Sequence, residues 1–124
     1  MRKLVKVFRA LSDETRIRIL KILLERDCCV CEVMQALDIS QSRASRNLSI
    51  LEDSEFVVSW REGLWTFYSI NNRSNATVIS LLNALSTCME GEEILTLDKE
   101  RLGRATKIDC KAVKKIGANR GLLH

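Results

Sequence analysis

Three cysteines fall within four positions, at Cys28, Cys29 and Cys31, and two more stand far off at Cys88 and Cys110. Cysteine is common in cores, but packing alone gives no reason to place three so close together. In a reducing compartment thiols serve as soft-ion ligands or as reactive groups more often than as disulfides, and the odd total fits that. Thiolates select soft ions. Trivalent arsenic or antimony suits a pyramid of three sulfurs, and cadmium or lead is the divalent counterpart. The only histidine is His124, which argues against a zinc site. Cys28-x-x-Cys31 is formally a redox spacing, but a thioredoxin-like enzyme needs a βαβ setting, and these flanks read as helical.

The thiols open a short helix expected over residues 30–37, with Val33, Ala36 and Leu37 on one face. Asp38-Ile39-Ser40 reads as a turn, and Ser40 as an N-cap. Ala44, Leu48 and Leu51 then recur at helical spacing. That leaves Gln41, Ser42, Arg43, Ser45, Arg46 and Asn47 largely outward. With Ser40, these side-chain types read base edges and phosphates in the major groove. No acid interrupts residues 40–51. A helix, a tight turn and a second helix with such a face make a helix-turn-helix. Phe56–Trp60 and Trp65–Ile70 follow as β-branched and aromatic runs around Arg61-Glu62-Gly63-Leu64, which is a hairpin signal. A hairpin placed there is a wing, with Arg61 near its tip for a phosphate or the minor groove.

The succession Leu20-x-x-Leu23-Leu24, Cys29-Val-Cys31-Glu, Ala36-Leu37-x-Ile39-Ser40-Gln41-Ser42-x-x-Ser45-Arg46-x-Leu48-x-x-Leu51 and Arg61-Glu62-Gly63-x-Trp65-x-x-Tyr68 resembles the ArsR/SmtB family over about residues 1–90. The resemblance implies a mainly α fold with a two-stranded β-wing, a winged helix-turn-helix homodimer. It also implies a repressor, not an enzyme, that leaves palindromic double-stranded operator DNA when As(III) or Sb(III) binds. In that family the Cys-Val-Cys pair, here Cys29 and Cys31, carries the ligands. The arsenic branch adds a third cysteine three residues on, where this chain has Met34. Cys28, Cys88 and Cys110 remain open as the third sulfur. Some relatives instead sense oxidants or reactive sulfur through a disulfide, for which Cys29 with Cys88 is the matching pair.

The remaining elements must position these groups. Leu4, Val5, Phe8 and Leu11 outline a first helix. Ser12-Asp13 caps a second, carrying Ile17, Ile19, Leu20, Ile22, Leu23 and Leu24 inward and Thr15, Arg16 and Arg18 toward solvent. After a polar break at residues 71–75, Val78, Leu81, Leu82, Leu85 and Met89 form one stripe on a long helix. With Leu4 and Phe8 that stripe is assigned to a dimer interface. On a helix, residues i and i+2 point about 200° apart, so one ion held by both Cys29 and Cys31 is expected to unwind the first turn of the short helix.

The 124 residues suffice for one domain with a modest core. Charged residues make up 29% and the net charge is +4, which mildly favours a nucleic-acid partner. No apolar run approaches a membrane span and the basic start lacks an apolar signal region, so a cytoplasmic protein without membrane contact is expected. The domain is drawn over residues 1–90. Residues 91–124 form a basic extension, with eight basic against five acidic residues. Ile94, Leu95, Leu97 and Leu102 suggest one short helix there, with looser chain beyond Ala105.

Overall fold

The structure, a computed structural model, describes residues 1–107. Six helices and three short strands run in the order α1 (Arg2–Leu11), α2 (Glu14–Glu25), β1 (Cys28–Cys29), α3 (Val30–Leu37), α4 (Gln41–Asp53), β2 (Val57–Glu62), β3 (Trp65–Ile70), α5 (Ala76–Thr87) and α6 (Glu93–Arg104). α2 starts where Asp13 accepts from the Arg16 N–H, and α5 where Asn75 accepts from Val78. Each cap satisfies one of the backbone donors that a helix start leaves free. α2 lies at the centre of the core. Its Ile19, Leu20, Ile22 and Leu23 are buried with Val33, Leu48, Leu51, Phe56 and Val78. Burying each such side chain contributes about 1.5–3 kcal/mol.

The expected two-stranded wing, β2 and β3, is present, and β1 adds a third strand to it in the antiparallel order β1-β3-β2. Cys28 pairs with Tyr68 and Cys29 with Phe67, so the thiol segment enters α3 from a sheet edge. β2 extends to Glu62, opposite Trp65, and Gly63 at φ 58° turns the chain. That left-handed conformation suits a residue without a Cβ.

Three expectations are corrected. First, α5 stops at Thr87, and Met89 lies beyond it with φ 60°. Val78, Leu82 and Leu85 are buried in the protomer's own core, while Leu81 and Met89 are half-buried against it. The apolar stripe therefore serves the protomer's own packing first; among the helices of the described residues only α1 leaves large apolar side chains, Leu4, Val5 and Phe8, exposed, and the wing does the same with Val58, Trp60 and Leu64. Second, Thr15, Arg16 and Arg18 do not point to solvent. Arg16 donates to the carbonyls of Ala10 and Arg9 and to Asn47. Third, α6 is packed onto the body expected to end at residue 90. Leu95 and Leu102 are buried, and fully buried Asp98 receives two hydrogen bonds from Arg18, at 2.9 and 2.8 Å. Arg18 also donates to the carbonyl of Leu37, the last residue of α3.

Candidate thiol site and nucleic-acid interface

Cys29 is the N-cap of α3, with extended backbone at φ −83° and ψ 165°. Only Cys31 is helical. Unwinding is therefore not needed to bring the pair together: the extended N-cap swings its side chain over the helix end, and the Cys29 and Cys31 sulfurs meet at 2.7 Å with α3 regularly wound. Glu32 closes a capping box. Its backbone N–H meets the Cys29 sulfur, and its carboxylate accepts from the Cys29 N–H at 3.0 Å. Buried Glu32 is also paired with Arg26 at 2.8 Å. Burial opposes its charge, but the Cys29 N–H and the Arg26 guanidinium outweigh that and hold its carboxyl below the usual range.

Both sulfurs are shut away from solvent. Burial drives the Cys29 thiol upward, the hydrogen bond with Cys31 adds to this, and the Glu32 N–H opposes it. The Cys29 thiol is therefore protonated at neutral pH and gives up its proton when it captures a soft ion. Cys28, next to Cys29 on a strand, takes the opposite side of the sheet, and its sulfur meets the Arg26 carbonyl at 3.4 Å. Cys88 caps the end of α5 and contacts the Leu85 carbonyl. Among the described residues no three His, Cys, Asp or Glu side chains are gathered to hold a metal ion. Neither Cys28 nor Cys88 completes a three-ligand site with the pair. Cys110 and His124 lie outside the described residues.

The second candidate site is α4. Asp38 takes a left-handed conformation at the end of α3. Ser40 then caps α4 by accepting from the Arg43 N–H, so its hydroxyl is already in use. Gln41, Ser42, Arg43 and Arg46 are exposed and Ser45 is half-buried. Asn47 is not a reader: it is 4% exposed, accepts from Arg16 and donates to the Arg43 carbonyl. Ser49, one turn beyond Arg46, is exposed on this helix; its place in the i, i+4, i+7 series with Ser42 and Arg46 was the available signal. Arg61 stands exposed at the wing tip, where it donates to the Gly63 carbonyl.

The model of the bacterial regulatory protein, arsR family, matches residues 13–59. The arsenical resistance operon repressor of Escherichia coli K12 is 32% identical over 85 residues, covering 68% of this chain and 73% of that protein. The chain belongs to the ArsR family. ArsR-family proteins are DNA-binding transcriptional regulators, not enzymes. Among solved structures, reduced HlyU from Vibrio cholerae superposes with a TM-score of 0.60 at 29% identity, covering 70% of this chain and 90% of that one. The homodimeric winged helix-turn-helix domain Mb0332 from Mycobacterium bovis gives 0.59 at 26% identity, covering 67% and 74%. The helix-turn-helix of this ArsR-family chain is α3 and α4, and its wing is β2 and β3. Among the described residues no helix is long and apolar enough to cross a membrane.

Proposed function

We propose that the chain is a homodimeric cytoplasmic repressor that binds a palindromic operator and is released when As(III) or Sb(III) is captured by Cys29 and Cys31. The observation that carries the inducer reading is the buried sulfur pair in contact at the start of α3. The arsenical resistance repressor among its relatives agrees with it. Gln41, Ser42, Arg43, Ser45 and Arg46 enter the major groove, with Ser49 beside them, and Arg61 meets the backbone from the wing. The third sulfur stays open among Cys28, Cys88 and Cys110, the last outside the described residues.

Release works by spreading rather than unwinding. An ion seated between two touching sulfurs must part them. Close-packed surroundings resist that, so the displacement passes into the β1–α3 junction. α3 is packed on α4 and joined to it by the turn at residues 38–40, so α4 shifts with it. A coupling of about 1–3 kcal/mol suffices to lower operator occupancy.

Titrating arsenite into the operator complex tests this. Cys29→Ser and Cys31→Ser should keep operator binding and lose release. If both still dissociate with arsenite, the site is elsewhere. The same 2.7 Å contact also suits a second reading, in which an oxidant or polysulfide takes two hydrogens from the pair and leaves a Cys29–Cys31 bond. Mass spectrometry separates the two by a loss of two hydrogens against the gain of one metalloid atom. Cadmium or lead is the third candidate inducer and enters the same titration.

A further inference from the structure

Four contacts join the segment just after α6 to the elements that carry the thiol pair. The Gln35 side chain donates to the Thr106 carbonyl at 2.7 Å and accepts from the Thr106 N–H at 3.2 Å. Both backbone polar groups of Thr106 are thereby held by one side-chain amide. The same Thr106 carbonyl faces the Cys31 sulfur at 3.8 Å. Lys107 places its ammonium 5.0 Å from the centre of the Phe67 ring, and Phe67 is the strand partner of Cys29. Gln35 lies one turn after Cys31 on α3 and also donates to the Cys31 carbonyl. The segment thus bridges α3 on one side and β3 on the other, with the two sulfurs beneath it. Thr106 and Lys107 are themselves exposed, whereas Cys29 and Cys31 are 0% and 1% exposed.

We propose that residues 105–107 are a strap that gates the thiol pair, and that Gln35 is the positioning residue that pins it. Reagents reach Cys29 and Cys31 only when the Gln35–Thr106 clamp opens. This goes beyond the choice of inducer, since it holds for any thiol-directed species. A two-bond clamp at the exposed end of a helix belongs to the local openings that cost least. It holds the pair closed without being part of the core.

The test uses the full-length free protein and iodoacetamide, with the alkylation rate of each cysteine read by mass spectrometry of its peptide. Gln35→Ala should accelerate alkylation of Cys29 and Cys31 roughly tenfold, as loss of two hydrogen bonds of ordinary strength allows. Cys88, remote from the strap, should react at its wild-type rate. Should Gln35→Ala disturb α3, Thr106→Pro decides. It removes the N–H half of the clamp from outside any helix, and Ala105, at φ −70° and ψ 145°, already has the backbone that a following proline requires. Faster labelling of the pair alone supports the strap. Wild-type rates at the pair in both variants, or equal acceleration at Cys88, overturn it. Neither arsenic nor DNA enters the measurement, so its failure would leave the inducer reading standing, and the reverse.

Discussion

Burial fixes how the individual thiols behave. Cys28 has its thiol pushed up to about 12 by desolvation, against which the nearby Arg26 charge works in the other direction. The native chain therefore keeps a proton that the unfolded chain releases above about pH 9. In that window the native state binds more protons, so stability falls as pH rises. The contribution is fully present below pH 9 and is lost between about pH 9 and 12. Urea midpoints measured in reductant should decline on going alkaline, and Cys28→Ala should flatten the decline. An unchanged slope would show that Cys28 titrates normally. On the reading helix, two neighbours should separate cleanly. Arg46→Ala removes an exposed side chain and should weaken operator binding by about 1–3 kcal/mol with little change in folding. Asn47→Ala strips a buried partner from Arg16 and should cost about 1–3 kcal/mol of folding stability. Its preference among operator bases should stay as in the wild type, which binding to single-base operator variants would check.

At the scale of elements, α6 ties the fold together. Arg18 reaches from α2 to Asp98 on α6 and to the carbonyl end of α3 in one fork. Arg18→Ala would leave a fully buried carboxylate without its partner, and should destabilise by about 3–5 kcal/mol. Arg18→Met with Asp98→Leu should recover most of that, because neither partner then leaves a charge behind. Equal losses in the single and double variants, read by chemical unfolding, would sink the argument. None of this could be read from the order of residues. Arg18 has the look of a solvent-side residue on α2, and its acid lies 80 positions away. What could be read was local. Asp13 and Ser40 announced two helix starts, and the spacing of Ala44, Leu48 and Leu51 fixed the inner face of α4. The sheet edge at Cys28–Cys29 was illegible, since two residues carry no period and their pairing partners lie in β3. That one strand sets the geometry of the thiol pair, because it makes Cys29 an extended cap instead of a helical residue. The stripe on α5 misled for a related reason: periodicity shows that a face is buried, not which surface buries it.

For the whole molecule, the open question is what covers α1. Its inner face sets Val7 and Ala10 into the core. The outer face leaves Leu4 at 45%, Val5 at 41% and Phe8 at 50% exposed. Three large apolar side chains on adjacent turns of one helix form a patch of the kind that marks an association surface. We propose that, in a homodimer on a two-half-site operator, this patch is where the copies meet. Such a dimer gains affinity because the second half-site is bound at high effective concentration. Leu4→Glu combined with Phe8→Glu should therefore give a folded monomer, since both positions are exposed in the single chain. Its operator affinity should fall on the order of a hundredfold, while helix content stays that of the wild type. Sedimentation at increasing concentration and operator titration together check this. A double variant that still sediments as a dimer would move the interface off α1, and the two reading helices would then need another axis to align them on the DNA.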